Sequence, residues 1–530
     1  MASTAADTGI SRRAAEQLVQ AQTLWTLIDA PTYPRDEFEL AWNKLIMYDE
    51  HTWGAYNSIS EPDDDFAVQQ ALFKQRYALD GAEMAASLLA GATGSRQKSG
   101  SGVIDVYNTL SRRRSGIVML SAEQSANGNI IEDETGSAVV SQRLGSGQLA
   151  FAASDVPAFG AKRYFVLQGK SEAVRSSLKI TENTIENDSV RLVIDRITGA
   201  VKSLKLKETN AEFADTSKGS GLNDYLYILG RDAEKNNMRI DSPLKLTVVE
   251  AGPLVAELKV ECAAPGAAWL TRRIRLMEGS DVVEIENVVD KLKERRPEGL
   301  YFSFPFNVQG GVMEIDTPWS VFRPERDQIA GANKNFLCVQ RFVDISNELC
   351  GITWIPFDAP MVQWDPVRIA SPYNRSDFRT SIEPNQTIHS WTMNNHWETN
   401  YKADQEGEIR FAYALAPHKG GYDAAAAQMV SREAFRPMVA VSANPAVAVA
   451  KSGLAVSGEG IVVASVKPAA GGDGFILRLF NTARKSSAAH VEWAGGAKIW
   501  LSSPLEEKGA QIKGAFDMGP QDIVMLRVEP

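Results

Sequence analysis

The sequence predicts a mainly β protein that begins with a bundle of three α-helices. Apolar residues recur at helical spacing through the first 95 or so residues, and a Gly/Ser-rich stretch follows at residues 91–102. After it, alternating apolar and polar residues with short turns continue for about 400 residues. Alternation over such a length favours packed antiparallel sheets over units in which strands and helices alternate.

Each predicted helix has its own signal. Apolar residues at helical spacing predict the first over residues 11–28. The second begins around Pro34, which fits a first helical turn and is followed by acids that suit the positive end of the helix dipole. We expect this helix to end at Gly54. Asp63–Asp65 predict the start of the third helix, which continues to about Ala90.

The chain is expected to form three domains. The helical bundle covers residues 1–95, a large β-sandwich covers residues 96–440, and a small terminal β-sandwich covers residues 441–530. The second boundary is placed beside a Ser-Ala-Asn-Pro-Ala break at residues 442–446. Within the large sandwich, Asn187–Leu206 shows the alternation and the turn of a hairpin.

Composition excludes some classes of function. The net charge of −10 argues against a nucleic-acid partner, because such affinity depends on Lys and Arg neutralising phosphates. No apolar run approaches the roughly 18 residues that cross a bilayer, so no membrane partner is expected. The first residues have neither a basic region nor an apolar core, and the three cysteines form no CxxC pair. We therefore predict a cytoplasmic protein with reduced thiols.

Eight segments resemble glycoside hydrolase family 38 α-mannosidases and their bacterial relatives, in the order found in that family. They are Ala41–Gly54, Asn108–Ser111, Asn187–Leu204, Glu298–Phe306, Arg323–Gln328, Val343–Asn347, Met393–Tyr401 and Phe411–His418. The resemblance runs from about residue 10 to the C-terminus. It implies the middle helical domain of the family, then a large galactose mutarotase-like β-supersandwich and a small terminal β-sandwich.

The resemblance also implies a missing part. In family 38 an N-terminal α/β barrel supplies the aspartate nucleophile and most zinc ligands, and this chain starts directly at the helical bundle. Retaining glycoside hydrolysis needs two carboxyl groups flanking one bond. The resemblance offers no residue for either role, so we assign no catalytic residue and expect the isolated chain to be inactive. Its expected partners are the N-terminal catalytic domain and a mannoside or oligosaccharide.

His51 is the candidate metal ligand. It matches the second histidine of a His-His-Asp segment that binds zinc in the family, although Glu50 and Thr52 depart from that pattern. One imidazole cannot hold zinc, since protein sites use three or four ligands. Zinc is therefore expected only in an intact protein that includes the barrel. The alternatives are a local cluster of Asp49, Glu50 and His51, or simply a polar helix end.

Two stretches are candidates for contacting a sugar. An aromatic ring can stack on a pyranose face, and side-chain amides both donate to and accept from vicinal hydroxyls. The candidate residues are Trp53, Asn394, Asn395, Trp397, Asn400 and Tyr401. The alternative is structural, with Trp53 packing the bundle against the sandwich, the asparagines capping turns and Trp397 in the core.

Other readings of the function remain open. His389, His418 and His490 lie in strand-like contexts and are interpreted as structural histidines. One alternative function is a carbohydrate-binding module without catalysis. Another is a mutarotase-type or lyase-type sandwich enzyme, for which His389 or His396 with a carboxylate would act as acid and base. A homo-oligomer is one arrangement that would cover a large sandwich face.

Overall fold

The computed structural model describes residues 2–28, 32–51, 54–169, 175–370, 377–382, 385–396 and 400–530. It confirms a mainly β protein that begins with three packed helices. None of the described helices is both long and apolar enough to cross a membrane.

Three helices form the N-terminal bundle. They are α1 (Ala5–Ile28), α2 (Arg35–Tyr48) and α3 (Asp65–Gly91), and a short 3-10 turn, Ala2–Thr4, precedes them. Ala14, Leu18, Phe38 and Leu45 are buried where the three helices meet, which is the apolar stripe that the sequence indicated.

The helix ends differ from expectation in two places. Helix α1 starts six residues earlier than residue 11, and α2 stops at Tyr48 instead of Gly54. The residues after Tyr48 are polar and turn toward the sandwich, so they leave the helix. Pro34 precedes α2 as its N-cap residue. The predicted start of the third helix is confirmed, since α3 begins at Asp65. The Asp64 carboxylate caps it by accepting a hydrogen bond of 3.0 Å from the Phe66 backbone N–H.

Residues 96–440 form two sandwiches instead of one, and each has a large hydrophobic core of its own. The first core, around Val106, Leu149 and Tyr164, belongs to a small sandwich of a five-stranded and a three-stranded sheet. Its strands are Val103–Tyr107, Arg114–Leu120, Ile130–Asp133, Ala138–Val139, Ser141–Arg143, Leu149–Val156, Ala161–Leu167 and Val439–Ser442. Because Val439–Ser442 pairs with Val103–Tyr107, the expected boundary at residue 440 cuts through a sheet.

The second core fills the large sandwich, which contains sheets of five, six and nine strands. Its strands up to Ala264 are Lys179–Ile180, Thr184–Glu186, Val190–Ile194, Val201–Leu206, Ala211–Glu212, Asp224–Leu229, Asn237–Met238, Lys245–Ala251 and Val255–Ala264. The later ones are Ala267–Met277, Val283–Lys291, Glu298–Pro305, Val312–Thr317, Ser320–Phe322, Leu337–Cys338, Val343–Ser346, Cys350–Pro356, Met361–Trp364, Thr387–Asn394 and Gly407–Lys419. The predicted hairpin is present, with Val190–Ile194 antiparallel to Val201–Leu206.

The chain leaves the large sandwich through helix α4 (Ala424–Phe435), whose N-cap Asp423 accepts from two backbone N–H groups. After Val439–Ser442 it forms the terminal sandwich of a three-stranded and a five-stranded sheet. The strands are Leu454–Ser457, Ile461–Pro468, Phe475–Asn481, Ser487–Trp493, Lys498–Ser502, Lys508–Ile512, Phe516–Met518 and Ile523–Glu529. Helix α1 packs against the large sandwich and against the terminal sandwich, so the helical bundle contacts both of them.

Candidate functional site

The turn after α2 meets Asn400 and Tyr401, two of the sugar-contact candidates, at one edge of the bundle. The Ser58 hydroxyl donates a hydrogen bond of 2.8 Å to the Tyr401 carbonyl oxygen. Gly54 lies so close to the same loop that a Cβ atom there would sit 3.0 Å from the Tyr401 nitrogen and 3.1 Å from the Asn400 carbonyl carbon. Tyr401 also packs against the buried Tyr48 of α2. We call this contact between residues 54–58 and 400–401 the junction.

His51 lies in the turn between α2 and the junction. Its side chain is 91% exposed, and its Nδ1 is 2.8 Å from a Glu50 carboxylate oxygen. The other Glu50 oxygen is 2.8 Å from Nζ of Lys74, which is buried on α3. Glu50 and His51 therefore form the local pair that the sequence suggested, and Asp49 lies beside it with its pKa raised by burial.

The described residues do not fit a zinc site by themselves. Within the described parts of the chain, no three His, Cys, Asp or Glu side chains are grouped so that they could hold a metal ion. The exposed His51 imidazole can offer one nitrogen, whereas zinc needs three or four protein ligands. Any zinc bound at His51 would need the other ligands from outside these residues.

The Asn395 side chain makes hydrogen bonds to backbone groups of the protein. Its Oδ1 accepts a hydrogen bond of 2.6 Å from the Glu298 backbone N–H, and its Nδ2 donates to the carbonyl oxygens of Glu294 and Ala403 at 2.9 Å each. These bonds tie the loop after Thr387–Asn394 to the neighbouring strand. A sugar hydroxyl could reach this amide only if one of them opened, so the assignment of Asn395 to sugar binding stays a prediction.

Asn394 has a different environment. Its Oδ1 accepts from the His396 backbone N–H at 3.3 Å, while its Nδ2 is buried and has no hydrogen-bond partner in the described structure. The side chain is buried at the end of its strand, where a polar loop was expected. Trp53 and Trp397, the two tryptophans among the sugar-contact candidates, lie outside the described residues.

A cavity of 320 Å³ opens beside the junction, between α3, the first turns of the chain and the 402–406 loop. Its polar walls include Asp7, Ser58, Gln75 and Asp404. Gln75 donates to Asp7 at 3.0 Å, and burial raises the pKa of Asp7. Arg295 of the large sandwich bridges Asp404 and Asp63, which fixes the bundle to the sandwich at this edge.

A second, smaller cavity of 130 Å³ lies at the edge of the six-stranded sheet around His396. Trp391 and Gln363 line it as well, and Trp391 Nε1 and Gln363 Nε2 are buried without a partner among the described residues. Burial, followed by the charge of Arg231, lowers the pKa of His396 to about 4, against a backbone contact with Gly230 that raises it. Gln363 was not among the candidates from the sequence, although one amide in the otherwise apolar strand Met361–Trp364 is an available signal.

The other histidines are engaged by neighbours. His389 Nδ1 is 2.8 Å from the Ser303 hydroxyl and its Nε2 is 3.4 Å from an Asp365 carboxylate oxygen, inside the large sandwich. His418 Nε2 is 3.0 Å from Asp344, whose pairing raises the pKa of His418 against the opposing effect of burial. These contacts hold strands together, and His389 and His396 do not line one common cavity.

Comparison with known proteins gives a family model that matches part of the chain, and a fold. Residues 185–356 match the family model described as "Glycosyl hydrolases family 38 C-terminal domain". An α-mannosidase from Enterococcus faecalis V583 is similar in structure over 98% of this chain and 66% of its own, with a TM-score of 0.72 and 16% identity. A family 38 glycosyl hydrolase protein from Enterococcus faecalis is similar over 99% of this chain and 71% of its own, again at 0.72 and 16%.

One curated protein is similar in a short stretch. It is the "Putative mannosylglycerate hydrolase" of Halalkalibacterium halodurans, 38% identical over 76 residues, which are 14% of this chain and 8% of that protein. The chain therefore spans about two thirds of the structurally similar proteins and matches a small part of the curated one. At 16% identity the structural likeness establishes the fold.

Proposed function

Since this α-mannosidase-like chain carries a family 38 glycosyl hydrolase C-terminal domain, we propose that it is the non-catalytic part of a zinc-dependent, retaining α-mannosidase-type hydrolase. In this proposal the nucleophile belongs to a catalytic domain outside the 530 residues. The chain supports that domain and forms part of the rim of its carbohydrate cleft. Its substrate is a mannoside or an oligosaccharide that contains one.

One observation carries the proposal: beside the junction, α2, α3 and the turn between them carry large apolar side chains that are exposed, and we call these side chains together the apolar face. Nine large apolar side chains between residues 40 and 79 are exposed, and two of them, Val68 and Leu72, line the junction cavity. They are Leu40, Ile46, Met47, Tyr56, Phe66, Val68, Leu72, Phe73 and Leu79. Apolar surface gathered in this way is typical of an interaction site.

The chemistry of the junction suits a cleft rim. The exposed His51 imidazole would be one zinc ligand, and bound zinc would act as a Lewis acid on a sugar oxygen. The polar groups of the adjoining cavity, among them Asp7, Ser58 and Gln75, would face the substrate beyond the reacting sugar. Docking of a catalytic domain on the apolar face would bring these groups next to its active site.

Activity assays test whether hydrolysis requires a separate catalytic domain. The isolated chain should not hydrolyse 4-nitrophenyl α-mannoside, with or without added zinc. Addition of a separately expressed family 38 catalytic domain from the same organism should give hydrolysis that neither piece shows alone. Turnover by the isolated chain would disprove the non-catalytic role.

Docking can be tested on the apolar face itself. Phe66→Ser and Phe73→Ser, at side chains 58% and 61% exposed, should weaken binding of the catalytic domain in sedimentation velocity experiments. Leu505→Ser is the matched control, since Leu505 is 81% exposed on the terminal sandwich. Self-association of the chain through the same face, lost in the two phenylalanine variants, would favour a homo-oligomer instead.

A carbohydrate-binding module is the second candidate, and the cavity around His396 favours it. Trp391 Nε1 and Gln363 Nε2, which have no partner among the described residues, are donors that sugar hydroxyls can satisfy. Calorimetric titration with mannose should show weak binding that Gln363→Leu abolishes. Binding that is unchanged in this variant would exclude the cavity.

A further inference from the structure

A larger cavity, of 610 Å³, lies on another side of the molecule, between α1, α2, α4, the large sandwich and the terminal sandwich. Its wall is rich in positive charge. Six basic side chains line it, namely Arg35, Arg341, Arg432, Arg436, Lys467 and Arg478, against two acidic ones, Glu39 and Asp316. None of these residues belongs to the junction or to the His396 cavity.

Arg432 of α4 is the basic side chain of this wall that most needs a negatively charged partner. It is 4% exposed, and its Nε and Nη1 have no hydrogen-bond partner among the residues described. Glu16 of α1 instead bridges two other arginines, at 2.5 Å from Arg341 and 2.6 Å from Arg436. Nε of Arg341 is also buried without a partner in the described structure. Burying a guanidinium without an anion costs free energy, so a bound anion would stabilise this arrangement.

The surrounding carboxylates make no hydrogen bond to these unpartnered atoms among the described residues. Burial raises the pKa of Asp316 to about 6, which leaves it mostly ionised at neutral pH, and it accepts a hydrogen bond from the Arg341 backbone N–H. Burial, followed by the like charges of Arg341 and Arg436, lowers the pKa of Arg432. Glu16 and Asp316 are thus two negative charges beside three arginines.

The unpartnered atoms also indicate the shape of the ligand. Arg432 Nε and Nη1 and Arg341 Nε are three donors suited to anionic oxygens, while Gln428 Oε1 is a buried acceptor without a partner in the part described. The Gln428 amide is oriented by its Nε2, which donates to Asp316 at 2.7 Å. A phosphate group has anionic oxygens for these donors, and either the hydroxyl of inorganic phosphate or a sugar hydroxyl beside a phosphate ester can donate to Gln428 Oε1.

We propose that this cavity binds a phosphate group, held by Arg432 and Arg341, with Gln428 Oε1 accepting from a hydroxyl of the same ligand. The cavity is larger than phosphate and falls in the range of small-ligand pockets. Trp42 and Trp319 line the remaining space, which suits a phosphorylated sugar as the carrier. Free inorganic phosphate is the other source of the same chemistry.

Binding is measured by isothermal titration calorimetry on the full chain, with inorganic phosphate, glucose 6-phosphate and glucose at constant ionic strength. Arg432→Gln should weaken phosphate binding about tenfold or more, the effect of losing a charged hydrogen-bond donor. Arg432→Lys keeps the charge and should retain part of the affinity. Arg196→Gln is the control, because Arg196 forms an exposed pair with Glu182 at 2.6 Å.

Thermal unfolding gives a second readout that does not depend on detectable heats. Phosphate should raise the Tm of the wild type and of Arg196→Gln, and leave that of Arg432→Gln unchanged. Tighter binding of glucose 6-phosphate than of phosphate, with none of glucose, would identify a sugar phosphate as carrier, and the reverse order would identify the free ion. No binding of either phosphate by the wild type, or equal binding by Arg432→Gln, would overturn the proposal.

Discussion

The Ser58 hydroxyl and the Tyr401 carbonyl oxygen, 343 positions apart in the chain, are joined by a hydrogen bond of 2.8 Å. This bond closes the junction, where the turn after α2 meets the loop after the strand Thr387–Asn394. Ser58 is buried, so its hydroxyl depends on this acceptor. The contact thus brings Tyr401, one of the sugar-contact candidates, against the turn that follows His51.

Gly54→Ala should open the junction. The added Cβ would meet backbone atoms of Asn400 and Tyr401 at 3.1 and 3.0 Å, closer than ordinary contact, and neither atom belongs to a movable side chain. We expect faster hydrogen exchange at the amides of residues 400–406 in the variant. Gly94→Ala is the control, because a Cβ there meets nothing within 4 Å. Equal exchange in wild type and Gly54→Ala would mean that the junction is not tightly packed.

The contact itself could not be predicted from the sequence, although Asn400 and Tyr401 on one side of it were candidates. His51 and the stretch from Asn394 to Tyr401 are conspicuous for their polar and aromatic residues. Their proximity depends on how α2, α3 and the large sandwich pack, which no local pattern encodes. The same limit explains the missed boundary, since the strands of the two sandwiches within residues 96–440 alternate alike and no compositional break separates them.

The roles of some residues depend on their burial, which the sequence does not show. Asn395 looked like a sugar ligand because amides suit hydroxyls, yet backbone groups take all three of its described hydrogen bonds. Arg432 lay in a helix with no motif around it, and its importance is visible only from the arginines that other segments bring beside it. Fold class and helix order followed from periodicity, whereas these roles follow from tertiary packing.

Zinc should depend on His51 only when a catalytic domain is present. The imidazole is exposed and Glu50 is its one described neighbour at ion-pair distance, so the chain alone offers too few ligands. In a reconstituted complex, His51→Ala should lower zinc affinity at least tenfold, measured by metal analysis after dialysis against a chelator series. His490→Ala should have no effect. Unchanged zinc content with His51→Ala would remove this residue from the proposed site.

A buried ion pair joins the strands Val283–Lys291 and Glu298–Pro305, and its disruption should be costly. Lys291 Nζ is 2.9 Å from a Glu298 carboxylate oxygen, and both side chains are nearly inaccessible. Lys291→Met would leave Glu298 unpaired in the core, at a cost of about 3–5 kcal/mol. The double variant Lys291→Met with Glu298→Gln should recover much of it, because no buried charge is left over.

Thermal unfolding of the variants measures this effect. Lys235→Met is the control, since Lys235 forms an exposed pair with Asp232 at 3.2 Å and should change stability by less than about 1 kcal/mol. Because Asn395 bonds to the Glu298 backbone, Lys291→Met should also loosen the loop that follows Asn394. A loss for Lys291→Met no larger than that for Lys235→Met would show that the pair adds little.

His396 should make the protein less stable as the pH falls. Burial lowers its pKa to about 4 from an ordinary value of 6.5, so between these values the unfolded chain binds a proton that the folded chain does not. Stability is therefore complete above pH 6.5 and declines toward pH 4, by about 3 kcal/mol for this group. His396→Phe should flatten that part of the stability profile measured by denaturant unfolding, whereas His490→Phe, at a half-exposed histidine, should leave it unchanged. An identical slope in wild type and His396→Phe would show that His396 is accessible to protons in the folded state.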